Sequence, residues 1–183
     1  YLLFHSFDTK KNVDQFYDLD LKSYEELILQ LSKKVDSLNI TISFDDGYES
    51  IIPAIDFAKK LGFNTAVYII TNKINKKGFL TDSDIKKLFL SGTFIGSHTH
   101  SHKNLTLLND DILDFELSSS KEILSKILGS DLLSLSLPYG EFNSKVLNNA
   151  KKYYSNVAFS TPLLFPSKFR VGRLSIHKSN YND

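Results

Sequence analysis

Two short stretches concentrate the side chains able to do chemistry. Residues 43–50 read SFDDGYES and residues 97–102 read SHTHSH. His98 and His102 are four apart, so on a helical turn they share a face. Two imidazoles at that spacing plus one carboxylate suit a divalent cation of the zinc, iron or cobalt kind. One of the adjacent acids, Asp45 or Asp46, supplies the anionic ligand. An ion so held keeps open positions for water and polarises it. The other aspartate can then take a proton from that water as general base. A nearby cation also lets two neighbouring carboxylates stay ionised together. Gly47 fits a sharp turn after a strand. The plainer alternatives are an aspartate that only caps the next helix and a polar loop of solvated histidines.

These residues need a scaffold, and the apolar pattern supplies one. Short runs rich in branched and aromatic residues predict strands at 1–5, 39–44, 64–70, 93–97, 132–137, 156–160 and 170–176. Helices are predicted at 22–37, 49–61, 81–90, 109–128 and 142–153. In the first, Tyr24, Leu27, Ile28, Leu31 and Val35 form the apolar stripe. Thr81 with Asp84, and Asn109, supply N-cap signals, while Gly92 and Gly129 mark C-termini. Pro53 falls early in its helix, where its missing N–H costs little. Alternating strands and helices imply α/β architecture with parallel strands. About seven such strands close into a distorted (β/α) barrel or stay an open doubly wound sheet. In either form, active residues gather beyond the C-terminal strand ends. His5, the Asp45–Asp46 doublet, the histidine cluster, the LPYG stretch at 137–140 and His177 all fall there.

Bulk properties narrow the classes. At 183 residues the chain suits one domain, 1–183, with enough length for a real core. Its net charge of +1 carries no sign of a nucleic-acid partner. The absence of cysteine excludes disulfides, thiolate catalysis and cysteine zinc sites. No apolar run approaches the roughly 20 residues of a membrane span. The opening at Tyr1 rather than Met leads to the expectation of a short further N-terminal segment.

Taken together, SFDDGYES, SHTHSH and LPYG resemble the signature motifs of the polysaccharide deacetylases, the NodB-homology group of carbohydrate esterase family four. The resemblance runs along nearly the whole chain. It implies a metal-dependent hydrolase that removes N-acetyl groups from amino sugars of a polysaccharide or oligosaccharide. The implied cofactor is a divalent metal, Zn2+ first, with Co2+, Ni2+ or Fe2+ as alternatives. By motif position, Asp45 resembles the catalytic base, and Asp46, His98 and His102 the metal ligands. Tyr139 resembles the residue whose backbone N–H completes an oxyanion hole. Compartment stays open between the cell envelope and the cytoplasm.

Two departures matter. The family's third motif carries an arginine two residues before the proline, and Ser136 stands there. Arg173, from a different strand, is the candidate to replace the guanidinium that orients the base. The histidine that protonates the leaving amine has two candidates. His5, in the opening YLLFHSF, matches a circularly permuted branch that includes poly-N-acetylglucosamine deacetylases, and His177 matches the unpermuted order. His5 is preferred, because a helical segment follows that opening as in the permuted branch. Other classes remain beside this reading. A non-haem iron oxygenase would also use two histidines and a carboxylate but leaves Asp45 without a task. A catalytically impaired carbohydrate-binding relative would follow from the missing arginine. A deacylase for a peptidoglycan or lipid-linked sugar is the nearest variant. His100 reads as a neighbour of the ligands, and Phe44 and Tyr48 as packing residues.

Overall fold

The computed structural model describes residues 1–7, 19–132, 134–160 and 169–176. Eight strands are parallel wherever they pair. They are β1 (Leu2–Phe4), β2 (Thr41–Phe44), β3 (Asn64–Ile69), β4 (Phe94–Ser97), β5 (Ser134–Ser136), β6 (Asn156–Phe159), β7 (Arg170–Gly172) and β8 (Leu174–Ser175). Five helices connect them: α1 (Leu21–Ser32), α2 (Ile52–Lys60), α3 (Asp82–Leu90), α4 (Asp110–Leu128) and α5 (Ser144–Tyr153).

The spatial order is β7-β6-β5-β4-β3-β2-β1-β8. This corrects the single strand expected over 170–176. The segment is two strands on opposite edges of the sheet, β7 against β6 and β8 against β1. One residue, Arg173, separates them. The chain therefore steps from one sheet edge to the other in a single residue and draws the sheet into a distorted (β/α) barrel of eight strands.

The strand faces explain the closure. Side chains alternate along a strand. In β5, Leu135 joins the large core cluster against the helices, while Ser134 and Ser136 point the other way. The small serines leave room on the inner face for Tyr68 and Arg173. Tyr68 packs with Ala66 and Ala158 in a separate cluster. Its hydroxyl lies 3.2 Å from Ser134 Oγ, and the Arg173 guanidinium lies 4.9 Å from its ring centroid. With both faces covered, the strands read as near-continuous apolar runs.

Several helix ends follow their local signals. Thr81 and Asp84 form a reciprocal capping box. Asn109 Oδ1 accepts from Ile112 N at 2.9 Å, and Gly129 ends α4 in the left-handed region at φ 68°. Others differ. Helix α1 stops at Ser32, and the chain turns into a 3-10 segment at Ser37–Asn39 capped by Asp36. Val35 is consequently 37% exposed rather than part of the stripe. The helix expected from 49 opens as a 3-10 turn, Glu49–Ile51, before α2. Neither Asp45 nor Asp46 caps it, since Ile51 occupies the N-cap of α2.

Gly96 in β4 permits a close approach of the Tyr68 ring inside the barrel. A Cβ there would lie 2.4 and 2.5 Å from Tyr68 ring carbons. Gly96→Ala should therefore displace the ring beneath Arg173 and cost about 1–3 kcal/mol of stability. Urea unfolding midpoints test this; an unchanged midpoint would show that the ring has room to move.

Candidate active site and metal centre

The C-terminal ends of β1, β2, β4 and β5 open onto one cleft of about 480 Å3. His5, Asp45, Asp46, His98, His102 and Tyr139 all line it. Arg173 sits behind it, bonded to Asp45. His177 lies outside the described residues.

Asp45 continues β2, its backbone N–H donating to Phe4 O at 3.1 Å. Its carboxylate is only 1% exposed. Arg173 Nη1 donates to Oδ1 at 2.7 Å and Nη2 to Oδ2 at 2.8 Å. Ser136 Oγ donates to Oδ2 at 3.0 Å, and Arg173 Nη2 also reaches Ser136 Oγ at 2.6 Å. The guanidinium is anchored in turn by Nε, which donates to Phe159 O at 3.1 Å. Burial alone would raise the Asp45 pKa. The Arg173 charge and its paired bonds outweigh burial and hold the carboxyl well below the usual range. Ser136 thus stands beside a guanidinium that arrives from the β7–β8 step instead of from its own position.

Asp46 meets the opposite environment one residue later. Burial, then the adjacent Asp45 charge, pushes its carboxyl up to about 7. Its Oδ1 is buried and has no hydrogen-bond partner among the described residues. That atom lies 3.6 Å from both His98 Nε2 and His102 Nε2, and the two imidazole nitrogens are 3.1 Å apart. For a tetrahedral ion with bonds of about 2.0–2.1 Å, ligand atoms stand about 3.3 Å apart. Asp46, His98 and His102 therefore fit a divalent ion, and the orphaned oxygen is what such an ion would satisfy.

The His98 tautomer is set by its partner. His98 Nδ1 is 2.9 Å from Ser136 O, a carbonyl that can only accept. Nδ1 therefore carries the proton, and Nε2 turns its lone pair to Asp46 and His102. Burial pulls the His98 pKa down to about 3, which keeps the ring neutral. Burial lowers His102 as well. His100 turns away, its Nδ1 3.0 Å from Thr71 Oγ1 and its ring edge-on to Phe115.

The ligand loop is strained and braced. Asp46, Thr99, His102 and Tyr139 all have positive φ between 60° and 71° without being glycine. Thr99 Oγ1 accepts from His102 N at 3.1 Å. Glu116 of α4, which the sequence reading did not single out, supplies the deeper brace. It is buried, accepts from Ser101 N at 2.7 Å, and also accepts from Ser101 Oγ. The available signal was position: Glu116 shares the apolar face of α4 with Leu113, Leu117 and Ser120. Tyr139 is 65% exposed, and its ring lies 4.8 Å from that of His102.

Two measurements follow from this geometry. Glu116→Ala should weaken divalent-ion binding roughly 10-fold or more by freeing the loop, seen by calorimetry on folded protein; unaltered affinity would mean the loop holds itself. A divalent ion binding here would displace the proton that Asp46 carries below about pH 7, whereas His98 is already neutral. Calorimetry in buffers of different ionisation enthalpy should detect clearly more proton release at pH 6 than at pH 8. A release that does not change with pH would contradict this.

The site can be compared with known proteins. A sequence profile of the family described as polysaccharide deacetylase matches residues 32–158. The peptidoglycan-N-acetylmuramic acid deacetylase PdaA of Bacillus subtilis is 32% identical over 126 residues, covering 66% of this chain and 46% of PdaA. A polysaccharide deacetylase from Bacillus cereus superposes with a TM-score of 0.84 at 24% identity, over 98% of this chain and 65% of that one. IcaB from Ammonifex degensii superposes with a TM-score of 0.84 at 17% identity, over 99% of this chain and 92% of IcaB. At those identities the two structures speak for the fold. The chain spans about half the length of curated relatives such as PdaA. The profile extends over well more than half of the chain, from the end of α1 into β6 and through both strand-end clusters of the cleft: the chain belongs to the polysaccharide deacetylase family.

Proposed function

We propose that the chain is a metal-dependent hydrolase that removes N-acetyl groups from N-acetylated amino sugars in a polysaccharide or oligosaccharide. One observation carries this reading. A single cleft holds an ionised carboxylate clamped by an arginine directly beside three donor atoms spaced for a divalent ion. The Asp46 carboxylate and the Nε2 atoms of His98 and His102 would hold that ion, Zn2+ first. When bound, it supplies Lewis acidity, polarising an acyl oxygen and making water more acidic.

The chain's own residues then divide the remaining work. Arg173 and Ser136 fix the Asp45 carboxylate, so its acceptor lone pairs have one orientation. Oδ2 accepts two bonds, from Ser136 and Arg173, whereas Oδ1 accepts only one side-chain bond among the described residues. Asp45 is assigned the proton taken from the attacking water. The same clamp keeps that carboxylate ionised and lowers its basicity, so the water must be acidified by its surroundings. His5, at the end of β1 on another wall of the cleft, is assigned the proton given to the departing amine. The Tyr139 backbone N–H is assigned to the carbonyl oxygen as negative charge develops there. Arg173, which reaches the Asp45 carboxylate, supports the active reading over an impaired relative despite the absence of arginine at position 136.

Acetate release from a panel of N-acetylated oligosaccharides, with chelator and after metal restoration, tests the reading. Asp45→Asn should reduce turnover by roughly 100-fold or more while a divalent ion still binds by calorimetry. His98→Ala should lose both. Normal turnover by a folded Asp45→Asn variant, or full activity in chelator, would falsify the assignment.

A further inference from the structure

The cleft contains one cation that this mechanism does not use. Lys73 closes the 3-10 turn Thr71–Lys73 that follows β3. That turn is stitched to the histidine loop: Thr71 N donates to Thr99 O at 3.2 Å, and Asn72 N to His100 O at 2.9 Å. The backbone therefore fixes where Lys73 enters the cleft, relative to the metal ligands. Its Nζ lies 5.5 Å from the Phe79 ring centroid. Phe79 stacks on Tyr48 at 4.7 Å and 26°. Lys73, Phe79 and Tyr48 line the same cleft as Asp46 and His102.

Lys73 is close enough to Asp46 and His102 for its charge to act on both. Among the described residues, Asp45 and Asp46 are the acids lining the cleft. Asp45 is neutralised by Arg173, and Asp46 faces both the histidine pair and Lys73, so an ion held by Asp46 would leave the Lys73 charge uncompensated by either acid. The lysines paired with carboxylates among the described residues are Lys22, Lys121, Lys145 and Lys152, all elsewhere. Residues 71–81, TNKINKKGFLT, add Lys76 and Lys77 to Lys73 and contain no acid; Lys103 follows the histidine cluster. A flat aromatic pair suits a pyranose face. A half-buried ammonium beside it suits a negative group on that same ring or its neighbour.

We infer that Lys73, with the Tyr48–Phe79 platform, forms a subsite for an anionic substituent, a carboxylate or phosphate, borne by the sugar at or next to the N-acetyl group. This deepens the proposed deacetylase reading and rests on it for the identity of the sugar. It makes the cleft selective for acidic N-acetylated glycans over neutral ones. It also disfavours a neighbouring sugar that is already a free amine, because an ammonium there would face Lys73.

Binding to the metal-free protein separates this inference from catalysis. The probes are a neutral N-acetylglucosamine tetramer, a tetrasaccharide with N-acetylmuramic acid residues (carboxylate), and an N-acetylglucosamine oligomer bearing a phosphate monoester. Calorimetry should show tighter binding of at least one anionic probe. Lys73→Met should weaken that probe by roughly three- to tenfold, leave the neutral tetramer within about twofold, and be rescued by Lys73→Arg. Added salt should shrink the difference. Preference for one anionic probe assigns the carboxylate or the phosphate as the group read; equal gains assign charge alone. Equal binding of neutral and anionic probes, or equal loss of all three in Lys73→Met, would overturn the subsite. Failure of the metal-loaded wild type to release acetate from any probe would instead sink the deacetylase reading and leave the binding comparison standing.

Discussion

Asp45 and Arg173 place opposite charges where the barrel closes, and both are almost completely shielded from solvent. Arg173 is the one residue between the two edge strands, so its backbone makes the seam while its side chain reaches across the interior to β2. The Phe159 carbonyl, Ser136 hydroxyl and Tyr68 ring hold the guanidinium from three further strands. Removing either charge would leave the other buried and unpaired, a cost on the order of 3–5 kcal/mol. The pair also fixes a sign in pH. Because it lowers the Asp45 pKa, its stabilisation is present above the unfolded carboxylate value, about 3.9, and is lost as pH falls through the lower folded value. Fold closure and the orientation of the candidate base therefore depend on the same bonds.

The histidine loop obeys a different constraint. Its residues adopt backbone conformations that non-glycine residues rarely occupy. Local bonds alone, such as His102 N to Thr99 Oγ1, span only three residues. Glu116 ties the loop to the long helix α4, and the turn after β3 ties it to the neighbouring strand. Strain in the ligand backbone is thus held by elements on both sides. This arrangement holds Asp46, His98 and His102 at a spacing that would suit an ion.

Much of this was legible in the sequence, and the limits have physical causes. Strand-end placement put His5, Asp45, Asp46, His98, His102 and Tyr139 together because parallel strands deliver their C-termini to one rim, and all six line the cleft. Caps at Thr81 and Asn109 were local signals and acted locally. The split of 170–176 was not legible, because RVGRLSI has one continuous strand pattern and only its two pairing partners reveal a break. Val35 was misplaced because the end of α1 is decided by the turn toward β2 and not by apolar spacing. Glu116 looked like an ordinary acid on a helix, since its partner Ser101 is fifteen residues away in sequence.

The doublet Asp45–Asp46 shows how far environment divides identical side chains. The two are adjacent in sequence and both largely buried, so burial raises each carboxyl. Asp45 alone has a guanidinium with two parallel bonds, and that compensation carries its pKa below the normal range. Asp46 gains no such partner, feels the fixed charge of Asp45, and rises instead. The left-handed turn at Asp46, followed by Gly47 at φ 81°, rotates the second carboxylate away from Arg173 and toward the imidazoles. An ion among those donors would supply to Asp46 the compensation that Arg173 gives Asp45. The two acids therefore call for different cations, one built into the chain at Arg173 and one that an ion among Asp46, His98 and His102 would provide.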